Sequence, residues 1–152
     1  MTAFTSIAAK HAEARAMGAH DCLCSTNPDD LAAAANRFDL VLVTVNVALD
    51  WGALLGTVAP LGRLHVVGAV PEAMKLSVAS LMDAQRSVSS SAVGAPATIR
   101  TMLEFAARHG VAPLVEAFPK QRINDAVARL KAGQVRYRAV IAFGAASAEA
   151  KL

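Results

Sequence analysis

Aromatic residues are scarce: they make up 5% of the 152-residue chain, with a single Trp and a single Tyr. Binding of single-stranded nucleic acid relies on rings that stack with bases, so this composition argues against it. Basic residues outnumber acidic ones 15 to 12 and gather in the second half. They are scattered over amphipathic stretches rather than set along one stripe, and no nucleic-acid partner is expected. Cysteine is equally sparse. Cys22 and Cys24 are the whole complement, and residues at i and i+2 of a strand share a face, which is poor geometry for a mutual disulfide. The first residues carry neither a basic start nor an apolar leader. Reduced thiols without an export signal suggest a cytoplasmic protein. No apolar run approaches the roughly 18 residues needed to span a bilayer, so no membrane segment is expected.

What the chain has is apolar residues, 55% against 18% charged, enough to bury a core and to exclude disorder. Short strand patterns at 2–5, 21–25, 38–45, 63–67 and 87–91 alternate with helical patterns. Residues 7–17 read as a helix stopped by Gly18. Asn27-Pro28-Asp29-Asp30 reads as a helix start, with a capping Asn, a Pro at the first helical position and acids at the positive end of the dipole. Asp50 caps a third helix, whose Leu54, Leu55 and Val58 should face inward. Gly52 and Gly56 suggest close packing of that helix. Pro60-Leu61-Gly62 reads as a turn, and 78–85 as a short helix. The nearly continuous apolar run 38–45 is expected to be buried on both faces, as in parallel sheets. Strand–helix alternation from Thr2 to Ser91 predicts an α/β fold with a doubly wound parallel sheet.

After Gly94 the texture changes. Residues 96–109 form an amphipathic helix with Ile99, Met102, Leu103 and Ala106 on one face and Gly110 as its stop. A strand at 114–118, a helix at 121–132 ending at Gly133, and a strand at 137–143 follow. The expected organisation is 1–94 as a Rossmann-like domain, 95–143 as a separate carboxyl-terminal segment, and 144–152 as a frayed tail.

In open parallel sheets, ligands gather at the carboxyl ends of the strands. Here those ends carry small and hydroxyl residues: Thr5-Ser6, Ser25-Thr26, Thr44-Val45-Asn46, Gly68-Ala69 and Ser89-Ser90-Ser91. No Gly-x-Gly-x-x-Gly phosphate loop occurs. Cys22-x-Cys24 beside His20 and His11 superficially suggests zinc, but no second hook exists, and strand-core thiols with a loop histidine are expected instead. His109, next to a helix-stopping glycine, reads as a partner of the helix dipole. His65 reads as a structural residue in mid-strand. No Ser–His–Asp set follows from spacing.

Several stretches together resemble one family: KHAEARAMGA (10–19), FDLVLVTVNV (38–47), LGRLHVVG (61–68), SAVGAP (91–96), MLEFAARHG (102–110), INDAVARL (123–130) and VRYRAV (135–140). The chain resembles the carboxyl-terminal portion of zinc-type medium-chain alcohol dehydrogenases, most of all the NADP-dependent cinnamyl alcohol dehydrogenase-like branch. The resemblance runs from about Thr2 to Phe143. It implies a Rossmann-like parallel sheet that lacks its first strand and the glycine-rich loop after it, then a helix–strand–helix–strand segment that returns to the family's catalytic domain. Family zinc ligands do not map onto this chain, and zinc is not expected here.

By the same resemblance, Thr5, Ser6 and Lys10 match positions that meet the adenosine ribose. An NAD site places an acid there. Two hydroxyls and a lysine suit the 2′-phosphate of NADP, and Ser6 is expected at an anion-favouring helix start. Thr44, Val45 and Asn46 match the segment passing the ribose and nicotinamide. Gly68 and Ala69 match the segment under the nicotinamide ring. Ser91, Ala92 and Val93 match the backbone that holds the carboxamide, with Ser90 where the family commonly has Gly. Arg138 matches an arginine that pairs with the pyrophosphate, with Arg136 as the competing assignment. The function implied is that of a cofactor-binding part of an NADP-dependent alcohol or aldehyde oxidoreductase, inactive alone and binding NADP weakly or not at all. The alternative is a non-catalytic nucleotide-binding or dimerisation module. Expected partners are a second copy, through the 87–91 strand, or a separately encoded amino-terminal half. The missing central strand should leave unpaired edges at 2–5 and 38–45, so the chain is expected either to close the gap by shifting strands or to self-associate.

Overall fold

The computed structural model describes residues 1–143. It divides into two compact units, one spanning Met1–Val93 and one beginning at Gly94. The expected frayed tail, 144–152, lies outside the described residues.

The first unit alternates strand and helix as the sequence pattern requires: β1 (Thr2–Thr5), α1 (His11–Ala16), β2 (Asp21–Cys24), α2 (Pro28–Ala33), β3 (Phe38–Val43), α3 (Trp51–Gly56), β4 (Val58–Val66), α4 (Val78–Met82) and β5 (Ser87–Ser90). The local signals act through identifiable bonds. The Asn27 side chain accepts from the Asp29 amide with Pro28 behind it, opening α2, and the Asp50 side chain accepts from the Ala53 amide, opening α3. Each satisfies an amide that the first helical turn would leave without a partner. Gly18 takes φ +96°, past the end of α1, where a side chain would be strained. The helix expected over 7–17 is divided: a 3₁₀ turn, Ala8–Lys10, precedes α1.

All strand pairs are parallel, and they form two ladders rather than one sheet: β1 beside β2, and β3–β4–β5 in that order. The α/β class and the parallel Rossmann-like arrangement follow the expectation. So does the discontinuity, because β1 and β3 are not bonded to each other. Strand shifting does not close the gap. Side chains bridge it instead. The Phe4 ring meets the Phe38 ring edge-on at 5.5 Å, and the Arg37 guanidinium donates to the Asp21 carboxylate at 2.9 Å.

The core lies on one side of β3–β4–β5. Val41, Val43, Trp51, Leu55, Val58, Leu64 and Val66 form one buried cluster, joined by Leu81 of α4 and Val88 of β5. Each such side chain contributes on the order of 1.5–3 kcal/mol by leaving water. The other side of β3 is open: Leu40 and Leu42 are 59% and 56% exposed. The apolar run is therefore buried on one face only, contrary to expectation, because α3 and α4 pack on a single side of this ladder. The Pro60-Leu61-Gly62 segment is not a turn between elements either. It lies within β4, at a register shift opposite Phe38 and Leu40, with Leu61 at φ +63°. Gly62 is needed there, since a Cβ would stand 2.7 Å from Val58 Cγ1 and 3.0 Å from the Asp39 carbonyl. Gly52 and Gly56 do not mediate close helix packing. A Cβ at Gly52 would meet only the Asp50 carboxylate, at 3.5 Å, and one at Gly56 would meet nothing within 4 Å.

The second unit contains α5 (Pro96–His109), β6 (Val115–Pro119), α6 (Ile123–Lys131) and β7 (Arg138–Ala142), with β6 and β7 paired in parallel. Gly110 caps α5 in the left-handed region. The apolar face expected of α5 forms, yet Met102 and Leu103 remain more than half exposed. Phe118 and Ala126 are the buried centre between β6 and α6.

Candidate functional site

Small and hydroxyl residues collect at the carboxyl ends of both ladders of the first unit. At the β1–β2 end, the hydroxyls are largely engaged with main chain. Thr5 Oγ1 donates to the Ile7 carbonyl at 3.0 Å, Ser25 Oγ to the Thr5 carbonyl at 3.2 Å, and Thr26 Oγ1 to the Ser6 carbonyl at 3.0 Å. These bonds pin the backbone of Thr5 and Ser6 and leave the Ser6 and Lys10 side chains exposed. One expectation is corrected here. Ser6 does not stand at a helix start: Ile7 occupies the position before the first helical residue, and that helix opens as a single 3₁₀ turn. The helix dipole offers little to an anion in so short an element.

At the β3–β4–β5 end, the structure brings three of the sequence-selected segments together. The Val43 carbonyl accepts from both the Val67 and Gly68 amides, at 2.9 and 3.2 Å. This draws Gly68 against the backbone of Thr44 and Val45 so closely that a Cβ would lie 1.8 Å from the Val45 carbonyl oxygen. Only glycine fits that crossing. Ala69 and Asn46 are exposed beside it. Ser91 joins through its amide, which donates to the Val66 carbonyl at 3.4 Å. Beyond it, Ala92 and Val93 are exposed. Ser90, by strand alternation, points away from the face that carries Ser89 and Ser91.

Two polar features escaped the sequence reading. His65 of β4 bridges two serines of the neighbouring chain segment, with Nδ1 2.8 Å from Ser89 Oγ and Nε2 3.0 Å from Ser91 Oγ. The separations of 24 and 26 residues conceal this set in the sequence. Arg86 is structural: its guanidinium donates to the carbonyls of Val58 and Ser80, at 2.8 and 3.0 Å, and to the Asn36 side chain. Its position just before β5 gave no hint of that role.

Arg138 and Arg136 belong to the second unit. Arg138 opens β7 opposite Val115 and is exposed. The Arg136 amide donates to the Glu116 carboxylate at 2.7 Å, and the Arg136 guanidinium lies over the Tyr137 ring. His109 stacks on Phe105 with ring centroids 4.3 Å apart, a contact the sequence reading did not include.

Both cysteines are free thiols. Cys22 is buried with Sγ 3.6 Å from the His11 carbonyl oxygen, and Cys24 Sγ lies 3.2 Å from Thr26 Oγ1. Among the described residues no three His, Cys, Asp or Glu side chains converge as metal ligands. The described part of the chain therefore does not by itself fit a zinc centre. Asp21 has a clearly lowered pKa. The hydrogen bond from Arg37 and then the Cys22 amide hold its carboxyl below the usual value.

A family model described as zinc-binding dehydrogenase matches residues 1–108. The chain belongs to the zinc-binding dehydrogenase family. It is 49% identical to the aldehyde reductase AdhA of Synechocystis over 141 residues, which are 93% of this chain and 42% of that protein. It is 37% identical to a probable formaldehyde dehydrogenase, AdhA of Bacillus subtilis, over 87% of this chain and 38% of that protein. A cinnamyl alcohol dehydrogenase structure from Sorghum bicolor superposes with a TM-score of 0.85 at 33% identity, covering 92% of this chain and 40% of that one. The same fold recurs in a Helicobacter pylori cinnamyl alcohol dehydrogenase solved with NADP(H), with a TM-score of 0.75 at 24% identity over 92% of this chain and 40% of that one. This zinc-binding dehydrogenase chain thus spans about two fifths of the proteins it matches, corresponding to their carboxyl-terminal portion.

Proposed function

We propose that the chain is the cofactor-binding portion of an NADP(H)-dependent alcohol or aldehyde oxidoreductase, and that it carries out no hydride transfer on its own. The observation that carries this reading is the close crossing of Gly68 over Thr44–Val45. Two backbone segments meet there with no side chain between them, at the strand ends where ligands of open parallel sheets gather.

The residues fit the cofactor in part. Ser6 and Lys10 would hold the 2′-phosphate, where an acid would instead favour NAD. Thr44, Val45 and Asn46 would line the nicotinamide ribose, and Gly68 and Ala69 would lie under the ring. Amides at Ala92 and Val93 would receive the carboxamide. A glycine-rich cradle for the cofactor pyrophosphate is not in this sequence. When bound, NADPH supplies a hydride to a carbonyl carbon, and these residues bind and orient it. The names of the aldehyde- and alcohol-acting relatives support a small carbonyl or alcohol as the substrate of the complete enzyme.

A second reading, a dimerisation module, draws on the outer edge of β5, which ends its ladder among the described residues. An unpaired edge is a template for another strand. A second copy or a separately encoded amino-terminal half would each serve as partner, and light scattering on the purified chain separates the two.

The nucleotide reading is tested by calorimetry with NADPH and NADH on wild type and Lys10→Ala. NADPH should bind more tightly, and the substitution should remove about 1–2 kcal/mol from NADPH alone, the scale of a charge-assisted hydrogen bond. Equal losses for both cofactors would show that Lys10 does not meet the 2′-phosphate.

A further inference from the structure

On the outward face of β3–β4–β5, Leu42, His65 and Ser89 lie side by side in register. His65 reaches beyond its own row to Ser91, one residue past the end of β5. The ladder is failing at that point. The Ser91 amide is 3.4 Å from the Val66 carbonyl, longer than an ordinary N–H···O bond of about 2.9–3.0 Å. The Ser91 hydroxyl, by contrast, sits 3.0 Å from His65 Nε2. The next two residues are exposed, Val93 by 89%. The side-chain bridge is thus the stronger tie holding the start of this segment onto β4.

We infer that His65 is a positioning residue for the nicotinamide end of the cofactor site, strapping Ser91 to β4 so that the Ala92 and Val93 amides stand ready for the carboxamide. This role rests on the nucleotide reading proposed above. The chemistry of the strap is self-consistent. A neutral imidazole donates from one nitrogen and accepts at the other, while a serine hydroxyl can do either, so both tautomers complete the chain Ser89–His65–Ser91. The strap acts on one end of the cofactor site only. The β1–β2 end, with Thr5, Ser6 and Lys10, belongs to a separate ladder and shares no hydrogen bond with His65. His65 should therefore separate the binding of whole NADPH from that of its adenosine half.

The test uses the full 152-residue chain as wild type, His65→Leu, His65→Gln and Ser91→Ala. Amide exchange is followed without ligand, and dissociation constants are measured for NADPH and for adenosine 2′,5′-bisphosphate, which lacks the nicotinamide. His65→Leu and Ser91→Ala should each speed exchange of the Ser91–Val93 amides about fivefold or more, with β1 and β2 unchanged. They should weaken NADPH about tenfold while leaving the bisphosphate within about twofold. His65→Gln, which keeps one donor and one acceptor, should recover part of both effects. Wild-type binding with exchange and NADPH affinity indifferent to His65→Leu would overturn the strap alone. Equal weakening of both ligands would also overturn it, because the effect would then be general destabilisation. If wild type binds neither ligand, the nucleotide reading fails, and the positioning role fails with it.

Discussion

Replacing Gly68 by Ala places a methyl group where the Val45 carbonyl oxygen already stands, 1.8 Å from the new carbon. A relaxed C···O contact is about 3.3–3.6 Å, so the β3 and β4 ends must part by about 1.5 Å. Two amide bonds converge there, Val67 and Gly68 donating to the Val43 carbonyl. Their loss costs about 1 kcal/mol each, and overpacking adds about 1–3 kcal/mol. The expected destabilisation is about 3–5 kcal/mol, a large part of the roughly 5–15 kcal/mol that holds a domain. Gly56→Ala provides the control. It adds a methyl into open space at the end of α3 and should be neutral or stabilising by up to about 1 kcal/mol. Urea unfolding followed by Trp51 fluorescence compares them, since Trp51 lies in the affected core. A Gly68→Ala midpoint equal to that of wild type would refute the close crossing.

Leu55 is fully buried in the first unit's core, so Leu55→Ala should cost about 2–5 kcal/mol, while Leu61→Ala, at a residue 74% exposed, should stay within about 0.5 kcal/mol; the same unfolding curves decide. Asp21 has a depressed carboxyl pKa through Arg37, so its stabilising effect is complete above the ordinary 3.8 and fades as pH falls through the lowered folded value. Asp21→Asn should therefore lower the urea midpoint slightly at pH 7, with the difference from wild type shrinking in acid; a difference that grows in acid would contradict the ion pair. Zinc should remain well below one equivalent after dialysis when measured by elemental analysis, and a stoichiometric tetrahedral zinc would contradict the ligand reading.

The sequence exposed its local grammar well. Asn27-Pro28 and Asp50 mark helix starts because capping bonds are made within three residues, and Gly18 and Gly110 mark stops because each takes a backbone angle that side chains resist. It misled where distant pairing overrides local preference. Pro60-Leu61-Gly62 has turn composition, yet Val58 and Leu64 on either side are fully buried, and their burial carries the chain through a bulge as one strand. The run 38–45 predicts burial on both faces. Apolar content reveals what a strand could bury, not which layers stand over it, and Leu40 and Leu42 lie uncovered. Within the candidate site, the strand-end hydroxyls and Gly68 were visible as residue types in the right places. The His65–Ser89–Ser91 bridge was not, since only the β4–β5 register brings those side chains together.

The most direct measurement is backbone NMR of the labelled chain titrated with NADPH. Shifts should concentrate at two places, the Thr5–Lys10 stretch and the β3–β4–β5 strand ends at Thr44–Asn46, Gly68–Ala69 and Ser91–Val93, with NADH perturbing the second group more than the first. Saturating NADPH that leaves both groups unmoved, or that moves only residues elsewhere, would contradict the cofactor-binding role.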